Sequence, residues 1–417
     1  RQPAAVARPA LLTVLLYCLS TIPCMPVAAE DLVYQLKYQV EFQPDAGKAR
    51  VKWLFDTGRL LRNLNFARQA QRISDIKANG ELTVGEQRVA WNLPEGEAWL
   101  SYTVKIDHER DPGEYDALMT RDWALFRGDD LFPATQTNEV PGAYANASLD
   151  IILPETWRSV ETGWTRKSGT TFRIDNPERL FDRPTGWMLA GNLGTRRSKV
   201  AKTSITVSAP RGSRLERMEI LTFLNFVWPE VREAFGTTPR KLLIVGAGDP
   251  MWRGGLSASN SLYLHADRPM ISENGTSPLL HELTHMVTRL KGVKTDATND
   301  DWIVEGLAEY YSFELLYRAG GMSKSRRNQI LQRLDAWSKD VTHLRKQPST
   351  GRQTARAAVL LAEVDREIRR RSKNETSIDE VVRELMVKRQ IGLKDLQIAV
   401  ENLLGAHSLA LRSPLIN

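Results

Sequence analysis

The chain has 417 residues, a formal net charge of +7 and two cysteines. A chain of this length makes two or three domains with ample core, and so modest a charge does not mark a nucleic-acid binder. Cys18 and Cys24 both lie near the start, so the remainder can build neither a disulfide framework nor a cysteine zinc site.

The first residues have the architecture of an export signal. Arg1 and Arg8 give a basic start, Leu11 to Ile22 an apolar stretch, and Val27-Ala28-Ala29 a small-residue cleavage site before Glu30. Residues 1–29 are therefore expected to be a signal peptide, with an uncleaved N-terminal membrane anchor as the alternative. The apolar stretch is short for a bilayer and no later one is longer, so no stable membrane span is expected after cleavage. A cysteine-free mature chain fits export to a bacterial periplasm or secretion.

Residues 30–209 read as a β-rich domain. Val33 to Phe42 alternates polar and apolar residues, Pro44-Asp45-Ala46-Gly47 makes a turn, and Ala49 to Phe55 alternates again. Further strands are expected at Ala90–Leu93, Trp99–Ile106, Ser148–Leu153, Thr171–Ile174 and Ala201–Val207. Strands of this length between Gly, Pro and Asn turns point to a β-sandwich or saddle.

The pattern changes after Pro210-Arg211-Gly212, and residues 210–417 read as a second, mainly helical domain. Leu215 to Phe235 has helical spacing, Lys241–Val245 and Ser261–His265 read as strands, and Gly254-Gly255-Leu256 lies between those two. Ser277-Pro278 opens the next helix as N-cap and first-turn proline. Leu279, Leu280, Leu283 and Val287 give that helix an apolar face to about Leu290. Another helix runs from Asp300 or Asp301 to Tyr317 and stops at Gly320-Gly321. Helices follow at Ser323–Trp337, Thr354–Arg371, Ile378–Lys388 and Leu393–Leu404, the third opened by a capping box of Ser377 and Glu380. The basic run from Arg366 to Lys373 is broken by Glu367 on a helix, which reads as a solvated face with no nucleic-acid partner.

His281-Glu282-Leu283-Thr284-His285 carries the chemistry. Two histidines four apart project from one helical face and can share a metal ion. Glu282 then lies beside the metal's open position, where a base for water attack is needed. Only six histidines occur in the chain, which makes a chance pair around a glutamate rare, although an ordinary helix carrying two histidines is the alternative. Glu305, separated from His285 by nineteen residues, is the chosen third ligand. Glu309, one turn further, is placed to hold the far ring nitrogen of a ligating histidine, its alternative being a plain exposed acid. Asp296, Asp300 and Asp301 read as loop or helix-start residues.

These residues resemble a gluzincin metallopeptidase of the thermolysin-like clan, most of all the glycyl aminopeptidase and aminopeptidase N families. The likeness rests on His281–His285, on Val304-Glu305-Gly306-Leu307-Ala308-Glu309-Tyr310-Tyr311, and on the helix pair from Ala357 to Leu385. It implies an α+β protein, with a β-sandwich or saddle packed on a thermolysin-like catalytic domain, one zinc ion per chain and hydrolysis of a peptide or protein substrate. By matching positions, His281, His285 and Glu305 bind the zinc and Glu282 activates water. Gly254, Gly255, Leu256 and Ser257 match the glycine-rich strand that pairs with substrate.

Two departures separate the chain from the aminopeptidases. Ser257 stands where they carry a glutamate that grips the substrate's free amino group, and a hydroxyl cannot neutralise an ammonium ion. Thr354 and Ala355 stand where the relatives place a tyrosine that steadies the oxyanion. His343 is a candidate substitute donor, with a plain loop or helix-end histidine as the alternative. The leading expectation is an exported zinc metallopeptidase. The competing one is a degenerate relative that binds zinc and peptide or protein with little catalysis.

Overall fold

The computed structural model describes residues 32–416 apart from Gly58 and 176–182; the expected signal segment lies outside the described residues. In the front half, seven strands form one sheet in the order Thr165–Ser168, Thr171–Ile174, Tyr144–Ile152, Val33–Gln43, Lys48–Asp56, Glu97–Lys105, Ile73–Ala78. Alternation sends Tyr34, Leu36, Tyr38, Val40 and Phe42 of Val33–Gln43 to the inside. A four-stranded sheet (Thr135–Glu139, Leu61–Ala67, Arg88–Asn92, Glu81–Val84) adds Phe66 and Trp91 to the same core. The large aromatics need polar partners for their polar ends, and find them. Trp53 Nε1 donates to the Tyr102 hydroxyl at 3.0 Å, which donates to the Leu131 carbonyl at 2.7 Å from the one-turn helix α1 (Gly128–Leu131).

A further sheet, in the order Ser159–Thr162, Trp187–Gly191, Trp123–Arg127, Glu114–Met119, His108–Asp111, faces the back half. Trp187–Gly191 was not expected as a strand. It is buried along its whole length, so it has no polar–apolar alternation to read.

The back half is built on a five-stranded sheet in the order Leu193–Val200, Thr203–Pro210, Lys241–Val245, Ser261–Leu264, Gly255–Ala258. Its first two strands precede residue 210 and form a hairpin whose second strand runs parallel to Lys241–Val245. Helix α2 (Arg217–Phe235) makes the crossover between those parallel strands and buries Ile220, Leu224, Val227, Trp228 and Val231. Helices α3 (Pro278–Thr288), α4 (Asp301–Arg318), α5 (Lys324–Trp337), α6 (Arg352–Arg371), α7 (Ile378–Lys388) and α8 (Leu393–Leu404) complete this half around one continuous core. The whole is a mixed α+β protein with several sheets. Among the described residues, no helix is long and apolar enough to cross a membrane.

The two halves meet at a small third core in which Leu125, Trp187 and Leu189 pack with Leu243, Val245 and Tyr263. The backbones approach closely there. Gly186 has φ +86, and a Cβ on it would lie 2.5 Å from the Ser259 carbonyl oxygen, so glycine is required on both counts. Trp187 then donates twice to the back half, from its backbone N–H to Ser261 Oγ and from Nε1 to the Leu256 carbonyl, each at 2.8 Å.

Candidate metal centre

Helix α3 begins where the sequence places it. Ser277 Oγ accepts from the Leu280 N–H at 3.2 Å, Pro278 occupies the first turn, and Leu279, Leu280, Leu283, Met286 and Val287 are buried. That apolar face fixes the helix rotation, so His281 and His285 emerge together toward α4. The helix ends at Arg289, whose left-handed backbone returns its N–H to the His285 carbonyl.

Helix α4 brings Glu305 to the histidines. Asp300 precedes it without capping it; this buried carboxylate accepts from Arg345 Nε at 2.7 Å and from the Leu393 N–H at 2.9 Å, tying α4 to α8. Gly306, beside Glu305, lets α6 come close. A Cβ there would meet the Ala357 Cβ at 2.7 Å and Leu361 Cδ1 at 2.9 Å. The Gly306 contact is a functional feature without a sequence signal, because nothing in the chain before folding says which helix lies against it.

The ligating atoms of His281, His285 and Glu305 lie within 4.8 Å of one another, and among the described residues no other three histidine, cysteine or acidic side chains converge this way. His281 Nε2 is 3.2 Å from His285 Nε2 and 3.3 Å from Glu305 Oε2; His285 Nε2 is 3.4 Å from Glu305 Oε1. Glu309 Oε2 lies 3.0 Å from His281 Nδ1. With Nδ1–H donating to Glu309, the neutral ring presents the Nε2 lone pair to the centre. Two imidazole nitrogens and a carboxylate oxygen, with one ring held from behind, fit a zinc ion.

Charge is concentrated here. Burial alone would lower the pKa of His281, but Glu305 and Glu309 outweigh it and hold it up at about 10. Burial would likewise raise Glu305, yet its bonds to His281 and His285 keep it well below the usual carboxylate range.

Glu282 points to the sheet. Its Oε2 accepts from the backbone N–H of Ser257 at 2.8 Å, across from the edge strand Gly255–Ala258. Gly255 makes room for this: a Cβ on it would lie 3.2 Å from Glu282 Cγ and 3.0 Å from Leu264 Cδ2. The strand pairs on one side only, with Ser261–Leu264, and Trp187 holds its Leu256 carbonyl. No strand pairs with its other edge, where the outward N–H of Ser257 is the donor that Glu282 takes. Ser257 thus contributes through its N–H, which the sequence argument about its side chain did not anticipate.

The candidate oxyanion donor lies elsewhere. His343 is exposed in the connection between α5 and α6 and is not among the groups gathered at the triad. Thr354 is buried and its hydroxyl lies 3.1 Å from Ser349 Oγ. The hydroxyls of Tyr310 and Tyr311, adjacent on α4, donate to Asp365 at 2.9 Å and Asp379 at 2.7 Å. Those bonds fasten α4 to the helix pair behind it, α6 and α7.

No family model matches this chain, and no curated protein matches it. Among solved structures it is similar to the crystal structure of an aminopeptidase N family protein from Idiomarina loihiensis, with a TM-score of 0.63 and 17% identity over 85% of this chain and 70% of that one. The chain therefore has a fold distantly like that of aminopeptidase N.

Proposed function

We propose that this protein is an exported zinc metallopeptidase that takes an extended polypeptide along the Gly255–Ala258 strand. The observation that carries the reading is the convergence of His281, His285 and Glu305, with Glu282 bonded to the edge strand Gly255–Ala258, which has no strand partner on its other side. These three residues would hold zinc. Zinc, when bound, supplies a Lewis acid that polarises a carbonyl and makes water more acidic. Glu282 takes the proton from the attacking water and hands it to the leaving amine. Its Oε2 is held by the Ser257 N–H, which leaves Oε1 to exchange the proton. Glu309 fixes the His281 ring so that Nε2 faces the centre. Pairing with the strand orients the scissile bond, which stands in for many weaker contacts. No carboxylate is offered by Ser257 to a substrate's terminal ammonium, which favours cleavage within a chain over strict removal of its first residue.

A second reading, a zinc-containing peptide- or protein-binding protein with little catalysis, is favoured by one observation. The two tyrosines nearest Glu305 in sequence both spend their hydroxyls on structural carboxylates. Loss of one oxyanion donor costs about 3 kcal/mol, or roughly 100-fold in rate. Retention of Glu282, which is no ligand, speaks for hydrolysis.

The test is metal analysis of the purified protein together with digestion of an unbiased peptide mixture containing free and N-terminally blocked members. One zinc per chain and cleavage of both sets is the expected result. Cleavage of free N-termini alone would overturn the reading of Ser257, and zinc without any cleavage would select the binding protein.

A further inference from the structure

The two helices that meet at the metal centre are held in rotation by different means. Helix α3 has one apolar face, and that face fixes which way His281 and His285 point. Helix α4 has no such stripe. Its buried residues include Leu307, Ala308, Tyr310, Ser312, Phe313 and Leu316, which together lie all round the axis. Burial on every side gives its acids no preferred direction, so directional bonds must supply one. The requirement is strict. A glutamate oxygen stands about 6 Å from the helix axis, so a rotation of about 10° carries it about 1 Å. A metal–ligand distance tolerates about 0.2 Å.

Tyr310 and Tyr311 are placed to meet it. At about 100° per residue, Glu305 and Glu309 point within about 40° of each other, and the two tyrosines straddle the opposite direction. Both rings are fully buried, and each hydroxyl donates to a buried carboxylate that other groups pin in turn. Asp365, which accepts from Tyr310 at 2.9 Å, also accepts from Arg369 Nε at 2.8 Å and from the Ile378 N–H at 2.9 Å, where α7 begins. Asp379, which accepts from Tyr311 at 2.7 Å, also accepts from Arg318 Nη1 at 2.6 Å. Arg318 Nε reaches Glu314 at 3.1 Å, and Glu314 pairs with Arg327 of α5. The phenols therefore pull on anchors that cannot swing freely. We propose that Tyr310 and Tyr311 are positioning residues that set the rotation of α4, and through it the places of Glu305 and Glu309 beside His281. Gly306 admits α6 to close range; the two hydroxyls select the angle. The inference rests on the metal reading above and assumes nothing about catalysis.

Cobalt(II) binding to the full chain tests it, read as affinity and as the visible absorption of the bound ion, which follows its coordination geometry. Tyr310→Phe/Tyr311→Phe keeps both rings and removes both bonds. The expected result is a cobalt affinity at least about tenfold lower than the wild type, with an altered spectrum. Val207→Ala, at a fully buried position on the strand Thr203–Pro210, controls for lost stability. It should lower the melting temperature and leave affinity and spectrum as in the wild type. If the double variant does not fold, each single phenylalanine variant gives a smaller shift in the same direction. Wild-type affinity and spectrum in the phenylalanine variants would overturn the proposal, as would an equal loss in Val207→Ala. Failure of the wild-type protein itself to bind cobalt would overturn the metal reading, and this inference with it.

Discussion

Helices α3 and α4 build the candidate centre from side chains, whereas the edge strand Gly255–Ala258 contributes through its backbone. On the helices, His281, His285, Glu305 and Glu309 each do something only that residue type can do. On the strand, the working parts are the Ser257 N–H, the Leu256 carbonyl held by Trp187, and the missing side chain of Gly255. Changes on the helices should therefore strike metal binding and stability. Changes around the strand should strike substrate handling and leave the metal in place.

The largest effect that would sharpen this contrast is expected at Gly306. Its Cβ position is hemmed in by α6, including the Ala357 carbonyl carbon at 3.0 Å, and backbone cannot turn aside as a side-chain tip can. Gly306→Val should cost about 3 kcal/mol in a denaturant melt by overpacking and lower zinc affinity by displacing Glu305. Wild-type stability in that variant would break the claim that α6 sets the position of the third ligand.

Glu309→Gln comes next. The amide still accepts from His281 Nδ1 but no longer brings a charge, so zinc affinity should fall about 10- to 100-fold while the fold persists. Competition with a chelating dye measures this. The same ring sets the pH dependence. Zinc must displace the proton that Glu305 and Glu309 stabilise on His281, whose pKa stands at about 10. Below that pH, zinc affinity should drop about tenfold per unit of acidification from this group alone. For the chelator-treated protein the sign is reversed. A pKa raised from 6.5 to about 10 stabilises the fold fully below 6.5, and that contribution is lost as pH rises through about 10.

The smallest effect is expected across the junction. Trp187→Phe removes the bond to the Leu256 carbonyl, worth about 1 kcal/mol. It should raise KM roughly fivefold with kcat and zinc content little changed. A loss of zinc in Trp187→Phe would show that strand and helices are not separable.

The same division explains what could be read from the sequence. The shared face of His281 and His285 was legible because i, i+4 spacing on a capped amphipathic helix fixes which side chains emerge together, whereas Glu305, on a second helix, was placed through the family resemblance. The helices α2 to α8 were legible for the same reason, and Ser277 and Ser377 marked two of their starts. The Trp187–Gly191 strand was not, because full burial erases alternation. Nor was the pairing of Thr203–Pro210 with Lys241–Val245 across the expected domain boundary, since a crossover partner lies far along the chain. Gly255, Gly306 and the Ser257 N–H carry no side-chain signature at all; their roles exist only once the neighbours have been brought up.

The most direct test of the proposed hydrolytic role is Glu282→Gln, assayed for zinc content and for turnover of a peptide found to be cleaved by the wild-type protein. The amide oxygen can still accept from the Ser257 N–H, but it cannot take up the water's proton. The account predicts one zinc per chain as in the wild type, with cleavage reduced on the order of 10²- to 10⁴-fold. Cleavage at the wild-type rate, or loss of the zinc itself, would contradict it.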